Sequence, residues 1–223
     1  QGVKEFIAIM EHYSVEGMTR GEHETCVLAS NLLRRSLNKG LPEEVWVSTE
    51  LAVNGKNIDF LLVGESNGKM SICILEYKQW TNVKLSSTGD GYHATIWGTK
   101  PAYHKFGEDK DDTLDEPRER CPYFQISGYR EAVEKLFPHS EIYSALVFPN
   151  MVDDTWAKKM ELFVKKQSMQ HDVFIQKDLE ELAEKMVTKF SKGPSTVRKW
   201  EINSILGKGS VGMEKSKDFI ETT

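Results

Sequence analysis

Asp59, Glu76 and Lys78 are the residues of this chain whose types and spacing could do chemistry together. Asp59 lies in the apolar run from Asn57 to Val63, and Glu76 and Lys78 close the next run, from Met70 to Trp80. Asn67-Gly68 stands between the two runs and is a strong hairpin signal. Side chains alternate across a strand, so Glu76 and Lys78 point to one side of the sheet. Two carboxylates and an ammonium then converge at one sheet end. Such a pair suits a hard divalent cation, Mg2+ with Mn2+ as its substitute, and a lysine beside the metal can hold an activated water. The competing reading is a half-buried hairpin with solvated charges near its end.

A second constellation follows. Pro122-Tyr123-Phe124-Gln125 opens a helical pattern in which Gln125 and Tyr129, four residues apart, share one face. Asp59, then Glu76-x-Lys78, then Gln125-x-x-x-Tyr129 resembles the PD-(D/E)XK nuclease superfamily, in its RecB-like branch. The string Glu76 to Trp80 and the Pro before the helix are similar to the nuclease-like domain that precedes a superfamily 1 helicase in some uncharacterised bacterial proteins. The resemblance covers about residues 20 to 192, and within it the short strings carry the specificity.

What the resemblance implies is a restriction-endonuclease-like fold and a metal-dependent nuclease. Phosphodiester cleavage needs a positioned water, a cation to offset phosphate charge and help for the leaving oxygen. Asp59 and Glu76 would ligate the metal directly, with the backbone carbonyl of Tyr77 completing its protein shell. Lys78 would orient or stabilise the attacking hydroxide. Gln125 and Tyr129 would support the lysine and the nucleic-acid backbone, although by physics alone they serve equally well as packing residues with satisfied polar tips. The family often adds an acid on the first helix. Glu24, which shares a face with Leu28 and Leu32, is preferred to Glu22; a carboxylate favoured at a helix start by the dipole accounts for both. Glu50, on the strand before Asp59, reads as an exposed strand charge rather than a ligand. Gln79 is placed to touch the metal water or the backbone. Trp80 reads as core, whereas Trp97 and Tyr103 are the better stacking platforms for a single-stranded substrate.

These groups need elements to carry them. A short helix is expected over residues 4 to 13. A longer one follows from Glu22 to Asn38, striped by Val27, Leu28, Leu32, Leu33 and Leu37 and ended by Gly40. Strands are expected at Val45 to Val53, Asn57 to Val63 and Met70 to Lys78, with Asn54-Gly55 as the first turn. Residues 81 to 121 read as a polar insertion holding one small hairpin, either a partly mobile segment or a substrate-facing flap. Basic residues from His104 to Arg120 could meet phosphates there, opposed by Asp109, Asp111 and Asp112. The Gln125 helix is expected to reach Leu136. Beyond it come a strand at Ile142 to Phe148, a helix at Trp156 to Lys166, a short strand at 173 to 175, and an amphipathic helix capped by Asp178. The order predicts an α/β sandwich with a central mixed sheet flanked by helices. The expected nuclease-like domain is 1-192, with 193-223 as a tail or linker that holds a weak helix and could lead to a further domain. The Gly207 to Gly212 string is formally GxGxxG but has no strand before it and no βαβ unit after it, so it reads as a flexible segment.

Bulk properties bound the rest. The chain has 223 residues, enough for a sizeable core, and ten Phe among its 39% hydrophobic residues. Its three cysteines are widely spaced and give neither a disulfide framework nor a zinc pattern, which fits a reducing cytoplasm. The six histidines show no paired metal spacing and read singly as surface or core residues. Phe6 to Met10 is too short for a secretory signal, and the missing initiator Met suggests a processed or recombinant start. No run is long enough for a membrane span. The net charge of −5 does not advertise nucleic-acid binding, but the run Glu108 to Glu116 accounts for it and the remainder is close to neutral. The expected function is a Mg2+-dependent nuclease of DNA, a module of a helicase-nuclease or of a bacterial or phage defence system. The alternative is a nucleic-acid-binding or protein-docking module that kept the fold and lost turnover. No sequence feature separates DNA from RNA as substrate, and family resemblance alone raises the expectation of a homo-oligomer.

Overall fold

The computed structural model describes residues 2–12, 20–53, 56–80, 82–87, 94–99, 122–152 and 171–206. A five-stranded mixed sheet forms its centre. The first three strands, β1 (Trp46–Val53), β2 (Lys56–Ser66) and β3 (Lys69–Tyr77), make an antiparallel meander. The chain then leaves the sheet through β4 (Asn82–Ser87) and β5 (Ala94–Thr99), which among the described residues pair with each other alone, and through helix α3 (Pro122–Leu136). It returns as β6 (Glu141–Phe148), parallel to β3, and finishes the sheet with β7 (Asp172–Ile175), parallel to β6. The spatial order is β1-β2-β3-β6-β7.

Local chemistry explains these boundaries. Asn67 and Gly68 both take positive φ, 51° and 76°, as a two-residue turn matched to strand twist requires. The second helix, α2 (Arg20–Asn38), ends as expected at Gly40, whose φ of 103° lets the Leu41 amide donate to the Ser36 carbonyl. The last strand leads through one 3-10 turn, Gln176–Asp178, into α4 (Leu179–Lys189). Asp178 does not cap that helix with its side chain. Its carboxylate turns back and accepts the Ile175 amide instead, at 3.3 Å, so the acid braces the strand exit.

The alternation of β-strand side chains divides the interior into two cores. On one face, Phe60, Leu62, Cys73, Leu75, Ala145 and Val147 pack beneath α1 (Val3–His12), α2 and α4. On the other, Leu61, Val63, Ile72, Ile74, Leu146 and Phe148 pack beneath α3 and a last helix, α5 (Thr196–Leu206). Helices thus cover both faces, giving the expected α/β sandwich. The small hairpin expected in the insertion is β4-β5; the rest of that insertion, the Asn54-Gly55 turn, the helix expected at Trp156 to Lys166 and the Gly207 to Gly212 string lie outside the described residues.

The weak helix expected in the tail is present, as α5, and the segment leading into it is docked on the sheet. Glu65 of β2 is buried, and its carboxylate accepts the Ser195 amide at 2.9 Å and meets the Lys192 ammonium at 3.0 Å. Ser191 donates to the Glu65 carbonyl at 2.9 Å. Beside it, a Cβ on Gly64 would stand 2.8 Å from the Lys192 carbonyl oxygen and 2.7 Å from the Phe190 ring, so this strand position has no room for a side chain. Ile202 of α5 is then fully buried in the α3-side core.

Candidate active site

Asp59 and Glu76 become neighbours through strand register. The β2-β3 ladder ends at the pair Phe60↔Leu75, so one further step sets Asp59 across from Glu76. There the two strands part. The Tyr77 amide donates to Asp59 Oδ2 at 3.1 Å rather than continuing the ladder. On its other side β3 stays paired with β6: Tyr77 faces Val147, and the Lys78 amide donates to the Val147 carbonyl at 2.9 Å. The end of β3 is therefore held from one side and open toward β2 on the other.

Glu76 is wholly buried. Lys78, two residues on and on the same face, brings its ammonium within 2.8 Å of Glu76 Oε1. That contact is close but poorly directed: neither Glu76 oxygen has a well-aimed hydrogen bond among the described residues. Burial, and next the Asp59 carboxylate, push the Glu76 carboxyl up to about 8, with the Lys78 ammonium opposing both. Two neighbouring carboxylates, one of them buried, do not ionise together without a counter-charge, and the Lys78 ammonium supplies part of it.

The other expected residues are distributed as follows. Gln125 and Tyr129 lie on α3, over the same sheet face as Glu76, and Gln125 Nε2 donates to the Tyr129 hydroxyl at 2.6 Å. Tyr129 is buried, so it packs as well as bonds. Gln79 Nε2 donates to Thr25 Oγ1 at 3.1 Å, and Asn150 donates to the Gln79 carbonyl at 3.3 Å. The first of these bonds brings the early part of α2 to the end of β3. Glu22 and Glu24 stand on that part of α2, but their side chains lie outside the described residues. The pairs Thr49↔Phe60 and Leu51↔Ile58 leave Glu50 opposite Asp59 in register; its side chain too is outside them. Trp80 is core, as expected, against Phe148 with ring centroids 5.8 Å apart. Tyr103 and the Trp97 side chain are outside the described residues.

The donor set fits a hard cation in kind. It offers two carboxylates on neighbouring strands, one of them buried and short of aimed partners and the other held by the Tyr77 amide. Among the described residues no three His, Cys, Asp or Glu side chains gather to hold a metal by themselves. Water and substrate oxygens would have to supply the remaining positions, as is usual for Mg2+.

One cluster escaped sequence reading. His171, just before β7, is buried between two serines: Ser127 Oγ of α3 lies 2.8 Å from Nε2, and Ser144 Oγ of β6 lies 2.7 Å from Nδ1. Arg130 of α3 donates to Ser144 Oγ at 3.4 Å and pairs with Glu134. A serine beside a histidine invites a hydrolase reading, and the electrostatics oppose it. Burial, and then the nearby Arg130 cation, hold the imidazole down to about 4, too weak a base to activate a hydroxyl. No spacing in the sequence joins these residues; the β6-β7 register and the seat of α3 do.

No family model matches this chain, and no curated protein matches it. No helix among the described residues is long and apolar enough to cross a membrane.

Proposed function

We propose that this chain is a metal-dependent nuclease that hydrolyses phosphodiester bonds of DNA. The observation that carries the reading is the buried Glu76 carboxylate, set beside Asp59 and contacted by Lys78 without a well-aimed hydrogen bond. A structural ion pair at this depth would be expected to satisfy its oxygens, because an incompletely paired buried carboxylate is costly.

In this reading Asp59 and Glu76 hold the cation, Mg2+ or Mn2+, with the Tyr77 carbonyl beside them. The bound cation would lower the pKa of a water and offset charge on the phosphate. Asp59 keeps its orientation through the Tyr77 amide. Lys78 orients the attacking water and gives positive charge where the pentavalent phosphate becomes more negative. Gln125 fixes the Tyr129 hydroxyl over the same face, where the pair supports the lysine and the backbone of the substrate. A place beside a helicase, in one polypeptide or as a subunit, belongs to the same proposal and rests on the sequence resemblance alone.

A second reading is a nucleic-acid-binding or docking module without turnover. One observation favours it: just two carboxylates converge among the described residues. Labelled single- and double-stranded DNA, offered to the wild type, Lys78→Ala and Asp59→Ala with Mg2+, Mn2+ or EDTA, separates the two. Metal-dependent cutting that Lys78→Ala abolishes and Asp59→Ala loses together with metal binding supports the nuclease. Binding without cutting under every metal moves the module reading ahead, and cutting by both variants refutes the site.

A further inference from the structure

Helix α3 carries Gln125 and Tyr129 over the sheet face that bears Glu76, and it packs on that sheet through an apolar core that includes Ile126, Ala132 and Val133. Apolar contact is non-directional, so it sets the seat of a helix less sharply than aimed hydrogen bonds do. The polar cluster beside it is directional. Ile74 faces Ser144 in the β3-β6 register and Glu76 faces Leu146, so Ser144 lies one strand over and two residues back from Glu76, on the same face. His171 then links Ser144 of β6 to Ser127 of α3 from its place before β7. Ser127 stands between Gln125 and Tyr129 in sequence.

We propose that His171 is a positioning residue that locks α3 to the sheet through Ser127 and Ser144, and so sets where the Gln125–Tyr129 pair stands relative to Asp59, Glu76 and Lys78. What that pair does there rests on the nuclease reading; the lock does not. The charge beside the ring favours one tautomer. Arg130 donates to Ser144 Oγ and places positive charge beside it. A cation favours the Nδ1 lone pair facing it over an N–H, so Ser144 donates to Nδ1 and Nε2–H donates to Ser127. One uncharged ring thereby joins a helix and a strand with two aimed bonds, each near 2.8 Å. Side-chain placement of this kind matters to chemistry: a displacement of about 1 Å far from the reacting atoms can cost about 100-fold in rate.

The test uses the full chain with His171→Leu, His171→Gln and Ser127→Ala. Imidazole 15N shifts of the wild type should report the Nε2–H tautomer. In His171→Leu the amides of α3 should exchange with deuterium at least about tenfold faster while those of β2 and β3 hold. Single-turnover cleavage of labelled DNA should slow by about 100-fold, with the affinity for Mn2+ alone within about twofold of wild type. His171→Gln keeps a donor at the Nε2 position and should recover part of both effects. Wild-type exchange of α3 in His171→Leu overturns the proposal, as does wild-type cleavage. If the wild type itself cuts nothing, the nuclease reading fails alone, and the α3 exchange still decides the lock. Should His171→Leu not fold, Ser127→Ala, which removes one hydroxyl, carries the same comparison.

Discussion

Replacing Glu76 with Gln should stabilise the metal-free protein at alkaline pH, the reverse of what removing half of a structural ion pair does. An exposed glutamate titrates near 4.5, while burial and Asp59 raise Glu76 in the folded chain to about 8. Between those values the unfolded chain has lost the proton and the folded one keeps it. The contribution of Glu76 to stability is therefore complete below the ordinary value and is lost as pH rises through the raised one. At about 1.4 kcal/mol per pH unit the interval sets a ceiling near 5 kcal/mol. Lys78 is only 15% exposed and loses the ionised Glu76 beside it in the variant, which offsets part of the gain. The expected net effect is a Gln variant about 2–3 kcal/mol more stable than wild type at pH 8.5, shrinking toward zero near pH 5. Urea unfolding in EDTA at the two pH values measures it. Added Mg2+ should stabilise the wild type by mass action and leave Glu76→Gln unmoved. A variant that is less stable than wild type by several kcal/mol at pH 8.5, and equally so at pH 5, would refute the reasoning, because Glu76 would then be a satisfied structural anion.

Asp59→Asn should lower the Glu76 titration midpoint, followed by carboxyl 13C shifts, without returning it to 4.5, because burial is the larger cause and remains. Tyr77→Phe should be neutral or stabilising by about 1 kcal/mol in thermal unfolding, since the Tyr77 hydroxyl is buried with no hydrogen-bond partner among the described residues. Glu65→Ala should cost about 1.5–3 kcal/mol at pH 7, the range for hydrogen bonds to a charged group, and hydrogen exchange should localise the loosening to residues 191–206. The Ser195 amide, then Lys192, hold the Glu65 carboxyl down to about 2, so its contribution is complete above 4.5 and lost as pH falls through 2.

The parts of the fold legible in the sequence were those written locally. Alternating apolar runs fixed β1 to β3 to within a few residues, Asn67-Gly68 set their turn, and Gly40 set the end of α2. The meeting of Asp59 with Glu76 follows from the same hairpin, since register converts a turn position into cross-strand pairs. What was not legible depends on contacts between distant segments. Asp178 has the type and place of a helix cap, but the Ile175 amide claims its carboxylate. The docking of residues 191–195 needs Glu65, more than 120 residues earlier, as its acceptor. His171 gave no signal because its partners, Ser127 and Ser144, come from α3 and β6 and share no motif with it.

Two buried glutamates of one sheet show how differently this fold treats a carboxylate. Glu65 has an amide on one oxygen and an ammonium on the other, and its pKa falls to about 2. Glu76 is buried at least as deeply, lies beside another carboxylate, and its pKa rises to about 8. The fold is thus able to satisfy a buried acid, and at Glu65 it does. At Glu76 it spends the Tyr77 amide on the neighbouring acid and leaves the β2-β3 ladder open at that point. An apolar residue would fill the Glu76 position at less cost, so the physical case for an acid there has to come from something the acid binds. A proton relieves the repulsion in the metal-free chain, and a divalent cation would relieve it better by offsetting the charge of both carboxylates. The affinity of the site for metal should accordingly rise steeply with pH up to about 8, as binding displaces the Glu76 proton. Calorimetric titration with Mn2+ at pH 6 and pH 8.5, in buffers of differing ionisation enthalpy, should detect close to one proton released at the lower pH and about a quarter of one at the higher. Equal affinity with no proton release at both would remove the ground for placing a metal between Asp59 and Glu76.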